Sequence, residues 1–138
     1  MKRTIKFRVW DKQENSFYSE EYLKHFNVAV SWDGKTIYQN FVSGEREVGN
    51  EVIIQQFTGV VTETEKEIYE GDIVSYKSKT QDRIGVVQFC VYYNGWAVKD
   101  SKAYPESDFG VERMDSPFMC FSDLKVIGNI FENPELLK

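Results

Sequence analysis

Aromatic and basic side chains are concentrated between residues 77 and 96, and together they suit a surface that stacks nucleobases. The aromatic members are Tyr92, Tyr93 and Trp96, with Tyr104 nearby, and the basic members are Lys77, Lys79 and Arg83. Aromatic rings stack on the faces of bases, and lysine and arginine neutralise phosphates. The same rings also suit cross-strand packing inside a β-hairpin. The sequence therefore leaves two interpretations open, a ligand surface and a packed core.

Acidic residues are abundant between residues 45 and 72, and their spacing bears on metal binding. Glu63, Glu65 and Glu67 alternate, so a β-strand would place them on one face. A hard cation needs several oxygen ligands that converge on one point, and the spacing of an EF-hand loop is absent. The sequence has one histidine, His25, and no Cys-x-x-Cys pair, which disfavours zinc. We therefore expect a solvated acidic face, no metal site and no cofactor.

Two short motifs bear on catalysis, and neither has the partners that catalysis needs. Residues 100–102 (Asp-Ser-Lys) and 123–125 (Asp-Leu-Lys) each match the Asp-x-Lys half of many nuclease sites, without a second acid at suitable spacing. Ser122 and Lys125 match a Ser-x-x-Lys pattern, but the other elements of that acyl-enzyme system are missing. The sequence also lacks a nucleophile elbow and a glycine-rich phosphate loop. These patterns predict that the protein is not an enzyme.

Charge and hydrophobicity bear on partners and compartment. The formal net charge of −5 means that the chain lacks the overall positive charge that attracts DNA. No apolar run approaches the about 20 residues of a membrane span, and the basic N terminus leads into an alternating pattern, unlike a signal peptide. Cys90 and Cys120 lie among apolar neighbours, so we expect two buried, reduced thiols. Together these features predict a cytoplasmic protein that is not bound to a membrane.

The first third of the chain predicts a strand, a helix and a hairpin. Residues 5–10 alternate as a half-buried strand, and Ser19 is placed to cap a short helix that ends near Phe26. Asp33-Gly34 then predicts a two-residue hairpin turn in which both residues have positive φ. Residues 43–50 are polar and predict an exposed loop.

The remainder of the chain predicts further strands. Residues 84–93 form the longest β run, and both of its faces are apolar apart from Gln88, which predicts a central strand. Asn94-Gly95 predicts a second two-residue hairpin turn. Residues 99–116 are polar and predict an irregular segment.

These elements predict a mostly β fold in two parts. Residues 1–50 form an N-terminal β lobe with a short helix, and residues 51–138 form a C-terminal SH3-like small barrel. Gly71 and Asp72 open a strand of that barrel. The pair predicts a structural turn, because glycine adopts conformations forbidden to other residues and aspartate bonds its own turn. The alternative interpretation is that Asp72 contributes to a binding surface.

Three stretches taken together resemble the YopX family of phage and prophage proteins. They are residues 5–18 (IKFRVWDKQENSFY), 56–74 (QFTGVVTETEKEIYEGDIV) and 123–137 (DLKVIGNIFENPELL). One departure is residues 62–66, which lack the glycine-containing turn that family members often carry before the Ile-Tyr-Glu-Gly-Asp element. The resemblance implies a phage-encoded protein of uncharacterised molecular function, and it supplies no catalytic residues to carry over.

Two functional hypotheses follow, and they differ in class. In the first, the protein is a non-enzymatic phage or prophage accessory protein that binds other proteins as a homo-oligomer in the cytoplasm of a bacterial host. Oligomers suit small β lobes because pairing covers exposed sheet edges. In the second, the small barrel binds nucleic acid through the aromatic and basic residues described above.

Overall fold

The computed structural model describes residues 2–41, 43–78, 80–102, 111–114 and 123–138. Within these residues the chain is mostly β, which confirms the predicted fold class. It divides into two compact units: the N-terminal unit, Ile5–Gln56, and the C-terminal unit, Phe57–Lys138 with the first four residues. No helix in the described part of the chain has the length and apolar character that crossing a membrane requires.

The N-terminal unit contains short antiparallel strands and one helix. In chain order these are β1 (Phe7–Asp11), β2 (Ser16–Phe17), α1 (Glu20–His25), β3 (Ala29–Val30), β4 (Ile37–Phe41), β5 (Gly44–Val48) and the first half of β6 (Val52–Val61). β1 pairs with β2 and with residues 52–56 of β6, and β3, β4 and β5 form a separate sheet. The buried core of this unit consists of Val9, Ile37, Val48 and Val52.

Helix α1 begins where the sequence predicts it, because Ser19 caps it. The hydroxyl of Ser19 accepts a hydrogen bond of 3.1 Å from the backbone N–H of Tyr22. Acidic residues occupy the first turn and basic residues the last turn, which suits the helix dipole. A six-residue helix is marginal alone, and Leu23 packs it against the core.

Strand β5 shows that the prediction of an exposed loop over residues 43–50 was wrong. Its residues are exposed apart from Val48, so no apolar alternation signals a strand. The backbone nevertheless pairs along the whole of β4, from Ile37 opposite Val48 to Phe41 opposite Gly44. Charged side chains suit this edge position, because they discourage pairing with another chain.

The C-terminal unit is built on a five-stranded antiparallel sheet. After the second half of β6, its elements are β7 (Glu67–Tyr69), β8 (Asp72–Ser78), β9 (Gln81–Cys90), β10 (Gly95–Asp100), β11 (Val111–Arg113), β12 (Lys125–Asn129) and a 3₁₀ helix (Pro134–Leu137). The strand order is β11-β10-β9-β8-β12, and the antiparallel sheets are curled and include a half-barrel. β9 is central, as its two apolar faces predict. The buried core is Ile68, Val74, Tyr76, Val87, Val98, Met114 and Leu124.

Strand β6 bends at Gly59 through a β-bulge. Phe57 lies opposite Tyr69 and Val61 lies opposite Glu67, so four steps along β6 match two along β7. Gly59 has a φ of +88°, which glycine adopts without steric cost.

Both hairpin turns are longer than predicted. Gly34 has a φ of +71° but Asp33 has a negative φ, and the N–H of Ser31 donates to the carbonyl of Thr36 at 2.9 Å to close the loop. In the second hairpin Asn94 has a φ of +51°, whereas Gly95 already belongs to β10 and pairs with Cys90. The turn therefore comprises residues 91–94, and the prediction of two residues with positive φ was wrong at both sites.

Candidate functional site

Gly71 is held by backbone hydrogen bonds on both sides. Its N–H donates to the carbonyl of Val87 at 2.8 Å, and its carbonyl accepts from the N–H of Ile130 at 3.0 Å. Its φ of +81° is the conformation that a residue with a Cβ avoids. Gly71 therefore connects the start of β8 to the centre of the sheet and to the end of β12.

Asp72 lies inside the C-terminal unit, with 2% of its surface exposed. Its carboxylate accepts from the N–H of Tyr69 at 2.8 Å and from the side-chain amide of Asn129 at 3.4 Å, and Asn129 is also buried. Two of the three stretches that resemble the YopX family thus meet in one buried polar network. This geometry matches the structural-turn interpretation of Gly71 and Asp72 and leaves Asp72 away from the surface.

Two of the basic candidates, Lys77 and Arg83, border a groove at the end of the sheet where β8 turns into β9. We call it the polar groove, and its cavity volume is about 630 Å³. It is lined by Ser75, Tyr76, Lys77, Gln81, Asp82, Arg83, Ile84, Asp100, Ser101, Lys102, Asp123 and Lys125. Both Asp-x-Lys tripeptides of the sequence therefore reach the same groove. Its lining combines cations and carboxylates, so it is not a simple cationic channel for a polyanion.

Arg83 and Asp100 form an ion pair in this groove. An N–H of the guanidinium donates to a carboxylate oxygen at 2.6 Å, and the second oxygen accepts from the backbone N–H of Lys102 at 2.8 Å. Arg83 also donates to the side-chain carbonyl of Gln81 at 3.1 Å. Burial, with the nearby Asp100 carboxylate adding to it, raises the pKa of Tyr76 to about 12. The exposed Arg83 thus satisfies the charge of the largely buried Asp100.

Acidic residues do not converge on a metal site in the part of the chain that is described. No group of three His, Cys, Asp or Glu side chains there could hold an ion. Glu67 lies on β7 and accepts from the Tyr69 hydroxyl at 2.9 Å, whereas Glu65 lies in the preceding turn with a φ of +62°. The predicted common face for Glu63, Glu65 and Glu67 is therefore not formed.

The aromatic candidates lie at the opposite end of β9, where it turns into β10. Four apolar side chains there form a surface that we call the apolar hairpin tip: Phe89, Val91, Tyr92 and Tyr93, which are 46%, 82%, 86% and 47% exposed. Trp96 is half-buried against the core, and its ring meets that of Phe89 edge to face at 5.4 Å between centroids. Cys90, between Phe89 and Val91, is a buried free thiol, whereas Cys120 lies outside the described residues.

Among the described candidates, the structure does not bring the basic and the aromatic residues together. Cys90 lies seven residue steps along β9 from Arg83, which corresponds to about 23 Å. Lys77 is exposed at the same end as Arg83, because it pairs with Asp82 across the β8–β9 hairpin. Residues close in sequence are thus placed at opposite ends of one strand, since an extended chain moves away at about 3.3 Å per residue. Lys79 and Tyr104 lie outside the described residues.

The aromatic end has a different cation, Arg113, which the sequence analysis missed. Its guanidinium carbon lies 5.7 Å from the centroid of the Tyr93 ring, and Arg113 pairs with Ala97 across β10 and β11. Together they border a cavity of about 230 Å³, here called the aromatic pocket, which is lined by Val60, Tyr93, Asn94, Gly95, Trp96, Arg113 and Met114. β11 is only three residues long and lies within a polar stretch, so no sequence pattern predicted it.

Comparisons with known proteins agree with this fold. A family model described as YopX protein matches residues 6–138. Among solved structures, the chain is similar to protein EF1440 from Enterococcus faecalis (TM-score 0.58, 21% identity) and to protein yopX from Bacillus subtilis (TM-score 0.61, 20% identity). Each comparison covers 99% of this chain and 100% of the other, and at this identity it concerns the fold alone. A search of curated proteins found no match.

Proposed function

This chain belongs to the YopX protein family, and from that premise we propose that it is a phage or prophage accessory protein which binds other proteins, as an oligomer and without catalysis. The proposal places it in the cytoplasm of a bacterial host. The observation that carries it is the apolar hairpin tip. Val91 and Tyr92 are each more than 80% exposed in a turn, a position that polar residues usually occupy.

The apolar hairpin tip has the composition of a protein-binding surface. Contiguous exposed apolar side chains mark interaction sites, and aromatic residues dominate binding energy at interfaces. The buried core of the unit consists of other residues, so the exposed Val91 and Tyr92 contribute little to folding. Binding to a partner would remove these side chains from water.

The polar groove supports a binding protein more than an enzyme. Its buried acid, Asp100, is held by Arg83 and by the backbone of Lys102. An acid that acts in catalysis must instead reach a substrate proton or hold a metal ion. The Asp-x-Lys tripeptide that contains Asp100 therefore has a structural explanation.

The test is a capture experiment from lysate of a bacterial host that carries the phage or prophage. The baits are the full chain, a Val91→Ser/Tyr92→Ser double variant, and an Ile127→Ser variant as the matched control. Ile127 is also an exposed apolar residue of the C-terminal unit, but it lies on β12. We expect one partner that the full chain and the control retain and that the double variant loses at least about 10-fold.

Two further readouts decide the outcome. Apolar contacts persist at higher salt, so capture by the full chain should survive an increase from low to moderate salt, unlike a complex held by phosphate contacts. Circular dichroism should show that all three baits are folded. If the double variant retains the same proteins as the full chain, the apolar hairpin tip is not a binding surface.

A second candidate function, binding of single-stranded nucleic acid, is favoured by the aromatic pocket. Tyr93 and Trp96 offer rings for base stacking, and Arg113 offers the adjacent cation. Against it stand the net charge of −5 and the distance of Lys77 and Arg83 from these rings.

Titration of labelled single-stranded oligonucleotides at low and moderate salt tests this second candidate. Binding that weakens steeply with salt and falls at least about 10-fold in Tyr93→Ala would support it. No binding at low salt, where electrostatic attraction is strongest, would eliminate it.

A further inference from the structure

Trp32 is the most exposed large apolar residue of the described chain, at 99%. It lies in the turn between β3 and β4, within the N-terminal unit. The other two tryptophans differ, because Trp10 is buried and Trp96 is half-buried. Since its ring is exposed, Trp32 contributes little to the packing of the N-terminal unit.

The turn around Trp32 is held in one conformation by its own hydrogen bonds. The hydroxyl of Ser31 donates to the Oδ1 atom of the Asp33 carboxylate at 2.6 Å, and this Oδ1 atom also accepts from the backbone N–H of Lys35 at 3.2 Å. The N–H of Thr36 donates back to the Ser31 hydroxyl at 3.1 Å. A pre-organised turn loses little conformational entropy on binding, and a tryptophan presented on it makes an effective anchor.

The aromatic pocket of the C-terminal unit has the size and chemistry to receive such an anchor. Its volume is about 230 Å³, and an apolar cavity of about 150 Å³ accommodates benzene. The rings of Tyr93 and Trp96 favour a third ring in edge-to-face or offset contact. The guanidinium of Arg113 favours the face of an indole, which is the best aromatic partner for a cation.

The charges beside the two surfaces are also complementary. Asp33 follows Trp32, and its hydrogen bonds from Ser31 and from the backbone of Lys35 lower the pKa of Asp33, so that its carboxylate is ionised at neutral pH. Arg113 carries the positive charge at the pocket. Asp33 beside the anchor and Arg113 at the pocket therefore carry opposite charges, and opposite charges fix the register of an interface.

We infer that Trp32 of one molecule inserts into the aromatic pocket of a second copy of this chain. The inference rests on the oligomer of the proposed function and identifies the contact that forms it. The two surfaces differ, so reciprocal insertion gives a two-fold dimer, whereas head-to-tail insertion gives a ring or an open filament. A foreign protein or a nucleobase in the same pocket is an alternative that the experiment below separates.

Two variants remove the two halves of the contact. Trp32→Ser deletes the anchor, and its exposure means that folding is unaffected. Gly95→Leu fills the pocket, and a Cβ at this position lies 3.8 Å from its nearest neighbour, the carbonyl of Tyr93, so the backbone accepts a side chain. Ile5→Ser, at another exposed apolar position, is the matched control.

Sedimentation velocity over a range of concentrations measures self-association of the purified full chain without any other partner. We expect the full chain and Ile5→Ser to associate, and each pocket or anchor variant to raise the Kd at least about 10-fold. Mixing Trp32→Ser with Gly95→Leu should restore association between the two, because one supplies the open pocket and the other supplies Trp32.

Several results would overturn the inference. They are a full chain that stays monomeric, association of Trp32→Ser equal to that of the full chain, and a mixture of the two folded variants that does not associate. A foreign protein captured through Trp32 without self-association would overturn it as well. Association that persists in Trp32→Ser overturns this inference alone, whereas a monomeric full chain also removes the oligomer from the proposed function. The capture experiment on the apolar hairpin tip is independent of both results.

Discussion

The same three strands, β8, β9 and β10, form both ends of the sheet, but the side chains at the two ends have different surroundings. At the end near the polar groove, Asp100 and Arg83 pair with each other and Tyr76 is buried beside them. At the other end, Tyr92 and Val91 are exposed to solvent. Among the described residues, the charged pair at the first end is satisfied within the molecule, whereas the second end leaves apolar side chains exposed. The difference locates the candidate binding surface at the aromatic end.

The sharpest way to break this comparison uses one glycine from each end. A Cβ at Gly85 would lie 2.6 Å from a methyl carbon of Val98 and closer still to the carbonyl of Lys99, whereas a Cβ at Gly95 has no neighbour nearer than 3.8 Å. We expect Gly85→Ala to lower the free energy of unfolding by about 3 kcal/mol and Gly95→Ala by less than about 1 kcal/mol. Urea denaturation measures both, and equal losses would contradict the comparison.

The second test separates packed from exposed rings within the aromatic end. Trp96 packs against the core and against Phe89, so Trp96→Ala should lower the free energy of unfolding by about 2 kcal/mol. Tyr92 is 86% exposed, so Tyr92→Ala should change the free energy of unfolding by less than about 0.5 kcal/mol. The same urea denaturation applies, and a large loss for Tyr92→Ala would mean that the apolar hairpin tip is part of the core.

At the polar end, the third test removes one partner of the ion pair. Arg83→Ala leaves the carboxylate of Asp100 with a single hydrogen bond from the Lys102 backbone, although Arg83 itself is 40% exposed. We therefore expect a loss of about 1 kcal/mol in the free energy of unfolding, less than for a fully buried pair. Lys77→Ala is the control at an exposed position on the same hairpin, with an expected change near zero. A loss of equal size in both variants would show that the ion pair has no special role.

The smallest effect at neutral pH concerns Tyr76. Burial raises its pKa to about 12, so the folded state keeps the phenol neutral while the unfolded chain ionises it from about pH 10. Stability is therefore unaffected below pH 10 and falls as the pH rises between about 10 and 12, by about 1 kcal/mol at pH 11. Tyr76→Phe should flatten this alkaline loss in pH-dependent urea denaturation. An unchanged slope would place the tyrosine hydroxyl in solvent.

Local sequence patterns determined much of the fold by themselves. The Ser19 cap follows from interactions between neighbours in sequence, and the central position of β9 follows from the apolar character of both faces of one strand. The family resemblance was also visible in the sequence. Its Gly71-Asp72 and Asn129 positions proved to be one buried polar network, so these positions indicate the fold rather than a functional surface.

Tertiary structure alone decided where the functional candidates lie. β5 and β11 form because partner strands supply backbone hydrogen bonds. Their charged and polar side chains do not predict this pairing. Pairing of β11 with β10 brings Arg113 to Tyr93, whereas the length of β9 separates Arg83 from the aromatic residues. Short sequence distance predicts proximity only within a turn, because an extended strand carries its two ends apart while hydrogen bonding joins residues distant in the chain.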